Sequence, residues 1–218
     1  MTTQSKISEK PARPANGYER RRRETHAQLL QAGRTLFVER AVEQVSIESI
    51  TERAGVAKGS FYNHFESREA LFDVVIERCI EDLLAKYEAF DPPTDDPFER
   101  AAERGRFAFG TLLSDPDTCK LLLQGGQPMQ GGAIDRVLRM MLGNTLAIGV
   151  SMGSLSHLDP ELVYAAYFGV VTQTIAQLLT REGEIDVAAA ADEVTALCFA
   201  VLGLSPYVPP AIQGEPTA

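Results

Sequence analysis

Residues Ala54–Phe72 read AGVAKGSFYNHFESREALF, and this stretch decides how the N-terminal part of the chain folds. Gly55 follows a short apolar stripe, and glycine is the residue that most readily takes the left-handed conformation that ends a helix. A second short helix is expected over Lys58–His64, where Phe61 and Phe65 lie four residues apart and share one face. Two short helices joined by a tight glycine turn are typical of a helix-turn-helix unit.

The other face of this second helix carries small and polar residues. Gly59 and Ser60 allow its N-terminal end to approach a base edge or a phosphate closely. Taken singly, each polar residue is explained by an ordinary solvated surface, whereas together they indicate contact with a nucleic acid. The candidate contact residues of this helix are Lys58, Gly59, Ser60, Tyr62, Asn63 and His64.

Charge is distributed unevenly along the chain. The formal net charge is −9, which argues against a nucleic-acid partner if it is spread evenly. Residues 1–72 hold 12 Lys and Arg against 9 Asp and Glu, and the remainder of the chain's 21 and 30 leaves 9 against 21. Because association with a polyanion depends on the local field, this asymmetry is compatible with a DNA-binding N-terminal part.

Helical periodicity extends through nearly the whole chain, and no segment shows the alternation expected of a β-strand. Apolar residues recur at helical spacing from about 20 to 40, and Ser46 and Ser67 stand at N-cap positions of later helices. Asp159 followed by Pro160 opens a helix in the same way. The pattern predicts an all-α protein of about nine helices.

Cysteine usage and hydropathy argue against several classes of protein. Cys79, Cys119 and Cys198 are odd in number and lack metal-ligand spacing, so neither a disulfide framework nor a metal site is expected. The polar start and the absence of an uninterrupted apolar run of about 18 residues argue against a signal peptide and a membrane span. We therefore expect a cytoplasmic protein with no membrane partner and no cofactor.

The sequence SIESITERAGVAKGSFYNHFESREALF, residues 46–72, resembles the signature of the tetracycline-repressor (TetR) family of bacterial transcriptional regulators. This resemblance implies a homodimer whose body binds a small-molecule effector. Effector binding then spreads the two heads so that they no longer fit one inverted-repeat operator in double-stranded DNA. The chain is accordingly expected to be a repressor without catalytic residues. The family pattern places recognition on the six residues named above and adds Ser46 and Arg68 as phosphate-contacting positions.

The resemblance divides the chain into a head and a body. The expected regions are a disordered basic arm (1–19), a three-helix helix-turn-helix DNA-binding domain (20–66), a larger helical ligand-binding and dimerisation domain (67–204) and a Pro-rich tail (205–218). Basic residues of the arm either follow the minor groove or belong to a solvated tail. One departure from the family is Glu48, where a basic residue is frequent. Its carboxylate cannot bond a phosphate, although it can accept from a cytosine amino group.

The body offers candidates for a dimer interface and for an effector site. The last two helices are rich in alanine and glycine, and the resemblance implies that they pair with a second copy, although packing within the chain also explains small residues. Apolar pockets with a few polar anchors are typical of small-molecule sites. The candidate effector residues are Phe107, Phe109, Gln124, Met129, Met141, Asn144, His157, Tyr164 and Phe168. An apolar or aromatic effector is expected.

Two alternatives place the function in other classes. Gly149, Ser151 and Gly153 form G-x-S-x-G, which in a hydrolase lies between a strand and a helix, but the preceding residues here favour a helix. The other alternative is a redox sensor that acts through Cys119, which requires an exposed thiol of low pKa. Both alternatives depend on the surroundings of a single side chain.

Overall fold

The computed structural model describes residues 17–124, 132–141, 155, 157–181 and 183–204 of the 218-residue chain. These residues form α-helices and one short 3-10 helix, and no β-strand occurs among them. The prediction of an all-α protein is confirmed.

The helices divide into an N-terminal group and a larger C-terminal group. The first group comprises α1 (Gly17–Glu39), a 3-10 helix (Val42–Gln44), α2 (Ile47–Ala54) and α3 (Lys58–Tyr62), and α4 (Arg68–Ala89) leads out of it. The second comprises α5 (Pro97–Leu113), α6 (Pro116–Gln124), α7 (residues 133–141), α8 (Pro160–Leu179) and α9 (Val187–Val201). We refer to residues 17–66 as the head and to the described residues from 67 onwards as the body.

Side-chain caps determine where several helices begin. Ser46, Ser67 and Asp159 each accept a hydrogen bond from a backbone amide in the first turn of the following helix, as predicted from their positions. Gly55 ends α2 with φ of 68°, which is the left-handed conformation expected of it. These local signals account for the sharp turn between α2 and α3.

Two helix boundaries in the head differ from those expected. The first helix begins at Gly17 rather than near residue 20, because the run of basic residues continues the helix towards the N-terminus. The second helix of the motif ends at Tyr62 rather than at His64. The amides of Asn63 and His64 bond to carbonyls three residues back, which tightens the last turn.

Aromatic residues from three helices form the core of the head. Phe61 and Ile50 are fully buried, and Phe37 packs edge-on against Phe72 of α4 with ring centroids 5.1 Å apart. Gly33 allows α1 and α4 to approach closely, since a Cβ there would lie 2.7 Å from a methyl carbon of the Leu71 side chain. The short helices are therefore held by tertiary packing rather than by their own helix propensity.

Candidate nucleic-acid interface and body cavity

The outer face of α3 is exposed, as its sequence predicted. Phe61 and Phe65 anchor the motif in the core, whereas Tyr62 is 55% exposed although it is aromatic. Lys58, Gly59 and Asn63 are also exposed, and Ser60 is half-buried. The structure therefore presents a polar, partly aromatic surface on a rigidly held helix.

An ion pair joins the two helices of the motif. The ammonium group of Lys58 on α3 contacts the carboxylate of Glu48 on α2. The hydrogen bond from Lys58 lowers the pKa of Glu48, and the same contact raises the pKa of Lys58. Because both side chains are exposed, this pair contributes little to stability. It brings a donor and an acceptor together on the exposed surface of the motif.

The two expected phosphate contacts outside α3 have different surroundings. The Ser46 hydroxyl accepts from the Ser49 amide at 3.1 Å and remains at the exposed N-terminus of α2. The guanidinium of Arg68 donates to the carbonyls of Glu43 and Val45 at 3.0 and 2.9 Å, so it holds the loop between the 3-10 helix and α2. A phosphate contact by Arg68 requires a donor that these bonds do not already use.

His64 lies in the turn after α3 and is half-buried. Its ring centroid is 5.6 Å from that of His26 on α1, and His26 in turn stacks on Phe65 at 4.9 Å. Burial and the nearby Arg22 lower the pKa of His64. The sequence analysis did not identify His26, although its position three residues before the buried Leu29 was the available signal.

A small cavity lies in the core of the body between α4, α5, α7, α8 and α9. Its volume is about 30 Å³, and its lining includes Tyr87, Phe109, Met141, Tyr167 and Thr195. This space holds a water molecule or two and no drug-sized ligand, so the described state is closed. Two of the predicted effector residues, Phe109 and Met141, contact the cavity.

Tyr167 is one of the polar residues that line this cavity. The side chain is 5% exposed, and its hydroxyl has no hydrogen-bond partner among the residues that the structure describes. Burial raises the pKa of Tyr167 well above its ordinary value. A buried hydroxyl without a partner is costly, and a water molecule in the cavity would satisfy it.

Those of the other predicted effector residues that the structure describes do not line this cavity. Phe107 stacks on Phe90 with centroids 4.1 Å apart beside an open groove, because the polar side of α5 faces outwards there. Tyr164 donates to the Asp135 carboxylate at 2.6 Å, and Phe168 is buried next to it. His157 is exposed. Met129 and Asn144 lie outside the described residues.

Gln124 connects the body to the head instead of lining a pocket. Its side-chain amide donates to the Phe37 carbonyl at 3.0 Å, so the end of α6 is bonded to α1. Arg34 of α1 contacts α6 as well, donating to the Thr118 hydroxyl at 3.0 Å and to Asp115 at 3.3 Å. These side chains form a polar junction between the head and the start and end of α6.

The cysteines do not have the properties of a redox sensor. Cys119 is 1% exposed, and burial raises its pKa to about 12. Cys198 is buried with its pKa also raised to about 12, and Cys79 is buried with a raised pKa. A thiol must ionise to react, so the proposed sensing role of Cys119 is not supported. Ser151 lies outside the described residues.

Two properties of the described residues concern metal ions and membranes. No group of three or more His, Cys, Asp or Glu side chains in the described ranges is arranged to hold a metal ion. Helix α8 is the one described helix that is long and apolar enough to cross a membrane, judged by length and composition only. Helix α8 packs against α9, and its apolar buried residues face the other helices of the body.

Comparison with known families and proteins assigns the head. Residues 29–75 match the family model described as bacterial regulatory proteins, tetR family. The transcriptional repressor KstR2 of Rhodococcus jostii is 36% identical over 77 residues, which are 35% of this chain and 36% of that protein. The transcriptional activator FasR of Mycolicibacterium smegmatis is 36% identical over 116 residues, covering 51% of this chain and 53% of that protein.

Solved structures extend the likeness to the body. A TetR-like transcriptional regulator from Rhodococcus sp. RHA1 aligns over 84% of this chain and 97% of its own, with a TM-score of 0.61 and 22% identity. The structure of RolR in complex with resorcinol aligns over 92% of this chain and 98% of its own, with a TM-score of 0.51 and 28% identity. The match to the curated repressors, in contrast, spans only about a third of their length.

Proposed function

We propose that this chain is a dimeric DNA-binding repressor of the TetR family of bacterial regulatory proteins, controlled by a small molecule. The observation that carries this proposal is the α2–α3 unit, which sets an exposed polar face on a buried aromatic anchor. A helix held in this way fits the major groove of DNA. KstR2 is a repressor and FasR is an activator, and we propose repression, as for KstR2.

We assign DNA contact to the exposed face of α3 and the turn after it. Lys58 and Tyr62 are the most exposed large side chains there, and Gly59 and Asn63 leave room for a base edge or a phosphate. Glu48 adds an acceptor beside the Lys58 donor, a combination that suits a G·C pair. Ser46, Ser60, His64 and Arg68 complete the proposed set, with Arg68 acting mainly by holding the loop before α2.

A homodimer is proposed through the exposed faces of α8 and α9. Leu162 is 69% exposed, and Ala166, Gly169 and Gln173 continue the same face at helical spacing. Nothing in the chain lies within 4 Å of a Cβ placed at Gly169, so packing within one copy does not require glycine there. Close approach of a second copy explains both the exposed apolar residues and the glycine.

The effector is proposed to enter the closed cavity beside Tyr87, Phe109 and Tyr167. The lining is aromatic with one unpartnered hydroxyl, which suits a compact aromatic or apolar molecule that carries a hydrogen-bonding group. RolR, a structural relative, has been crystallised with resorcinol, a ligand of this chemical class. Opening of the cavity would displace α6, and the junction of α6 with α1 would transmit that change to the head.

We also propose that this chain acts on DNA in the cytoplasm and catalyses no reaction, as a regulator of this kind does. The test of the proposal is selection of bound fragments from genomic promoter DNA, followed by footprinting of the fragment that is bound most tightly. The expected footprint is an inverted repeat whose two half-site centres lie about 34–36 Å apart. Binding without sequence preference at any salt concentration would contradict the proposed function.

A further inference from the structure

An open cationic groove lies where the head meets α4, next to the turn after α3. Its volume is about 810 Å³, and it runs between α1, the turn after α3 and α4. The charged and titratable groups that line it are Glu19, Arg22, Arg23, His26, His64 and Arg78. Three guanidinium groups and two imidazoles therefore face a single carboxylate.

The arginines of the groove differ from most others in the head. Arg20, Arg34 and Arg53 each form an ion pair with an acidic side chain. Arg22 and Arg78, in contrast, have no ion pair with any acid in the described part of the chain, although they lie close enough to His26 to affect its titration. Unpaired guanidinium groups at the edge of an open groove favour an anionic ligand with several oxygens.

The two histidines place sites for protonation inside the same groove. Burial, then the neighbouring His64, and then Arg78 and Arg22 lower the pKa of His26 below its ordinary value of 6.5. Both imidazoles are thus mostly neutral near neutral pH. An anion bound between them and the arginines would offset the surrounding positive charge and favour protonation.

We propose that this groove binds a phosphate group of the DNA backbone and takes up a proton when it does so. Arg22 and Arg78 supply the charge, and His26 and His64 supply the sites for protonation. The inference rests on the proposed DNA-binding function and extends the contact surface beyond α3. DNA is favoured over a free anion because His64 lies two residues after Tyr62, the exposed end of α3, and the intervening Asn63 is exposed as well, so the groove lies next to the proposed recognition surface.

The sign of the effect follows from linkage. DNA binding that takes up a proton becomes weaker as pH rises. The change occurs between two pKa values of the histidines, the lowered pKa in the free protein and the higher pKa in the DNA complex. For one proton, the affinity for DNA approaches a tenfold change per pH unit, about 1.4 kcal/mol, within that window. The affinity is therefore expected to increase from about pH 8 to about pH 6.

Fluorescence anisotropy with the full-length protein tests this proposal on a selected operator duplex and on a scrambled duplex at constant ionic strength. The His26→Gln variant is expected to lose at least half of the pH dependence without loss of fold, as checked by circular dichroism. Arg78→Gln is expected to lower the slope of log K against log salt by about 1. Arg181→Gln, an exposed arginine of the body, serves as the matched control and should bind as wild type.

The outcomes separate this inference from the proposed function. Unchanged pH dependence in His26→Gln together with an unchanged salt slope in Arg78→Gln would overturn the groove while specific operator binding stands. Equal, pH-dependent binding to both duplexes would support the groove and contradict a sequence-specific regulator. If neither duplex binds, both fail. Thermal melting in sodium sulfate against sodium chloride then shows whether a free anion occupies the groove, through a shift that Arg78→Gln removes.

Discussion

The head and the body expose opposite kinds of surface. Around α3 the exposed residues are cationic, polar or amphipathic, including Lys58 and Tyr62, and an aromatic core lies directly beneath them. Along α8 the exposed residues are apolar or small, including Leu162 and Gly169. A polyanion is recognised through charge and hydrogen bonds, whereas a second copy of the chain is recognised through close apolar packing. The contrast matches the different physical requirements of the two interfaces that we propose for this chain.

The two regions also differ in how completely they are filled. The head buries Phe61 and Ile50 fully, and its helices are too short to persist without this packing. The body retains a cavity, and the buried Tyr167 hydroxyl beside it has no partner among the described residues. A tightly filled head suits the rigid DNA contacts that we propose for it, whereas a core with an unfilled space suits the proposed binding of an effector.

The largest effect is expected from truncation of the head's aromatic anchor. Phe61→Ala should lower the free energy of unfolding by about 3–5 kcal/mol, because it removes a fully buried ring and leaves a cavity. Tyr62→Ala, at the adjacent exposed position, is the control and should lower it by less than about 0.5 kcal/mol. Chemical denaturation followed by circular dichroism measures both. Equal losses would mean that the head is not held by its aromatic core.

Truncation of the exposed residues of the head should affect DNA binding instead of stability. Lys58→Ala and Tyr62→Ala are each expected to weaken operator binding by about 1–3 kcal/mol with unchanged helical content and dimerisation. Glu48→Gln removes the partner of Lys58 and should change the preferred base pair more than the total affinity. Selection of bound sequences from a random pool reports both effects. Wild-type binding by both alanine variants would contradict the assignment of α3.

On the body, Gly169 distinguishes an interface from an ordinary surface. Gly169→Glu is expected to weaken dimerisation by on the order of 1–3 kcal/mol, since it inserts a charge where a second helix approaches. Gly169→Ala is the milder substitution at the same position. In a monomer it should stabilise α8 by up to about 1 kcal/mol. Sedimentation equilibrium measures the dimer constant. A dimer unaffected by glutamate would place the interface on another face.

The polar junction between the two regions should affect signalling more than binding. Gln124→Ala removes one hydrogen bond to the Phe37 carbonyl, for a cost of about 1 kcal/mol. We expect the operator affinity of the effector-free protein to be nearly unchanged. The loss of operator affinity that the effector causes is expected to be smaller than in the wild type. Arg136→Ala, whose ion pair with Glu77 lies outside the junction, is the control. Comparison of operator affinity with and without effector in the two variants checks this expectation.

The smallest expected effect is a pH dependence of stability in the head. The pKa values of His26 and His64 are lowered in the folded state, so the folded protein binds fewer protons than the unfolded chain. Stability is therefore complete above the ordinary pKa of 6.5 and declines as pH falls below it. The expected fall in Tm is on the order of a degree per histidine. A double His26→Gln, His64→Gln variant should lose this dependence in a melting series.

Local signals in the sequence were sufficient for the architecture of the head. The N-cap at Ser46, the left-handed Gly55 and the i, i+4 pair of phenylalanines each act over a few residues, and the structure confirms all three. The ends of α1 and α3 were less accurate, because fraying and tight last turns depend on weak bonds. The same local chemistry explains why comparison with relatives succeeds on this part of the chain.

Contacts distant in sequence were beyond such reasoning. Gln124 and Phe107 were both predicted as effector-site residues. Gln124 bonds to a carbonyl 87 residues away, and Phe107 stacks on Phe90 beside an open groove. Helical spacing identifies the apolar face of a helix but does not specify the element that faces it. Tyr167 and His26 acquire their significance only from the groups that surround them.

The sequence by itself determined the all-helical class, the helix-turn-helix unit, the family and the residues on the outer face of α3, because these depend on spacing within a few turns. Tertiary structure alone decided the closed cavity beside Tyr167, the junction of α6 with α1 and the groove between His26, His64 and Arg78. Each of these features joins helices that are distant in the chain. Their assembly depends on how the helices pack, and no local pattern of residues encodes that arrangement.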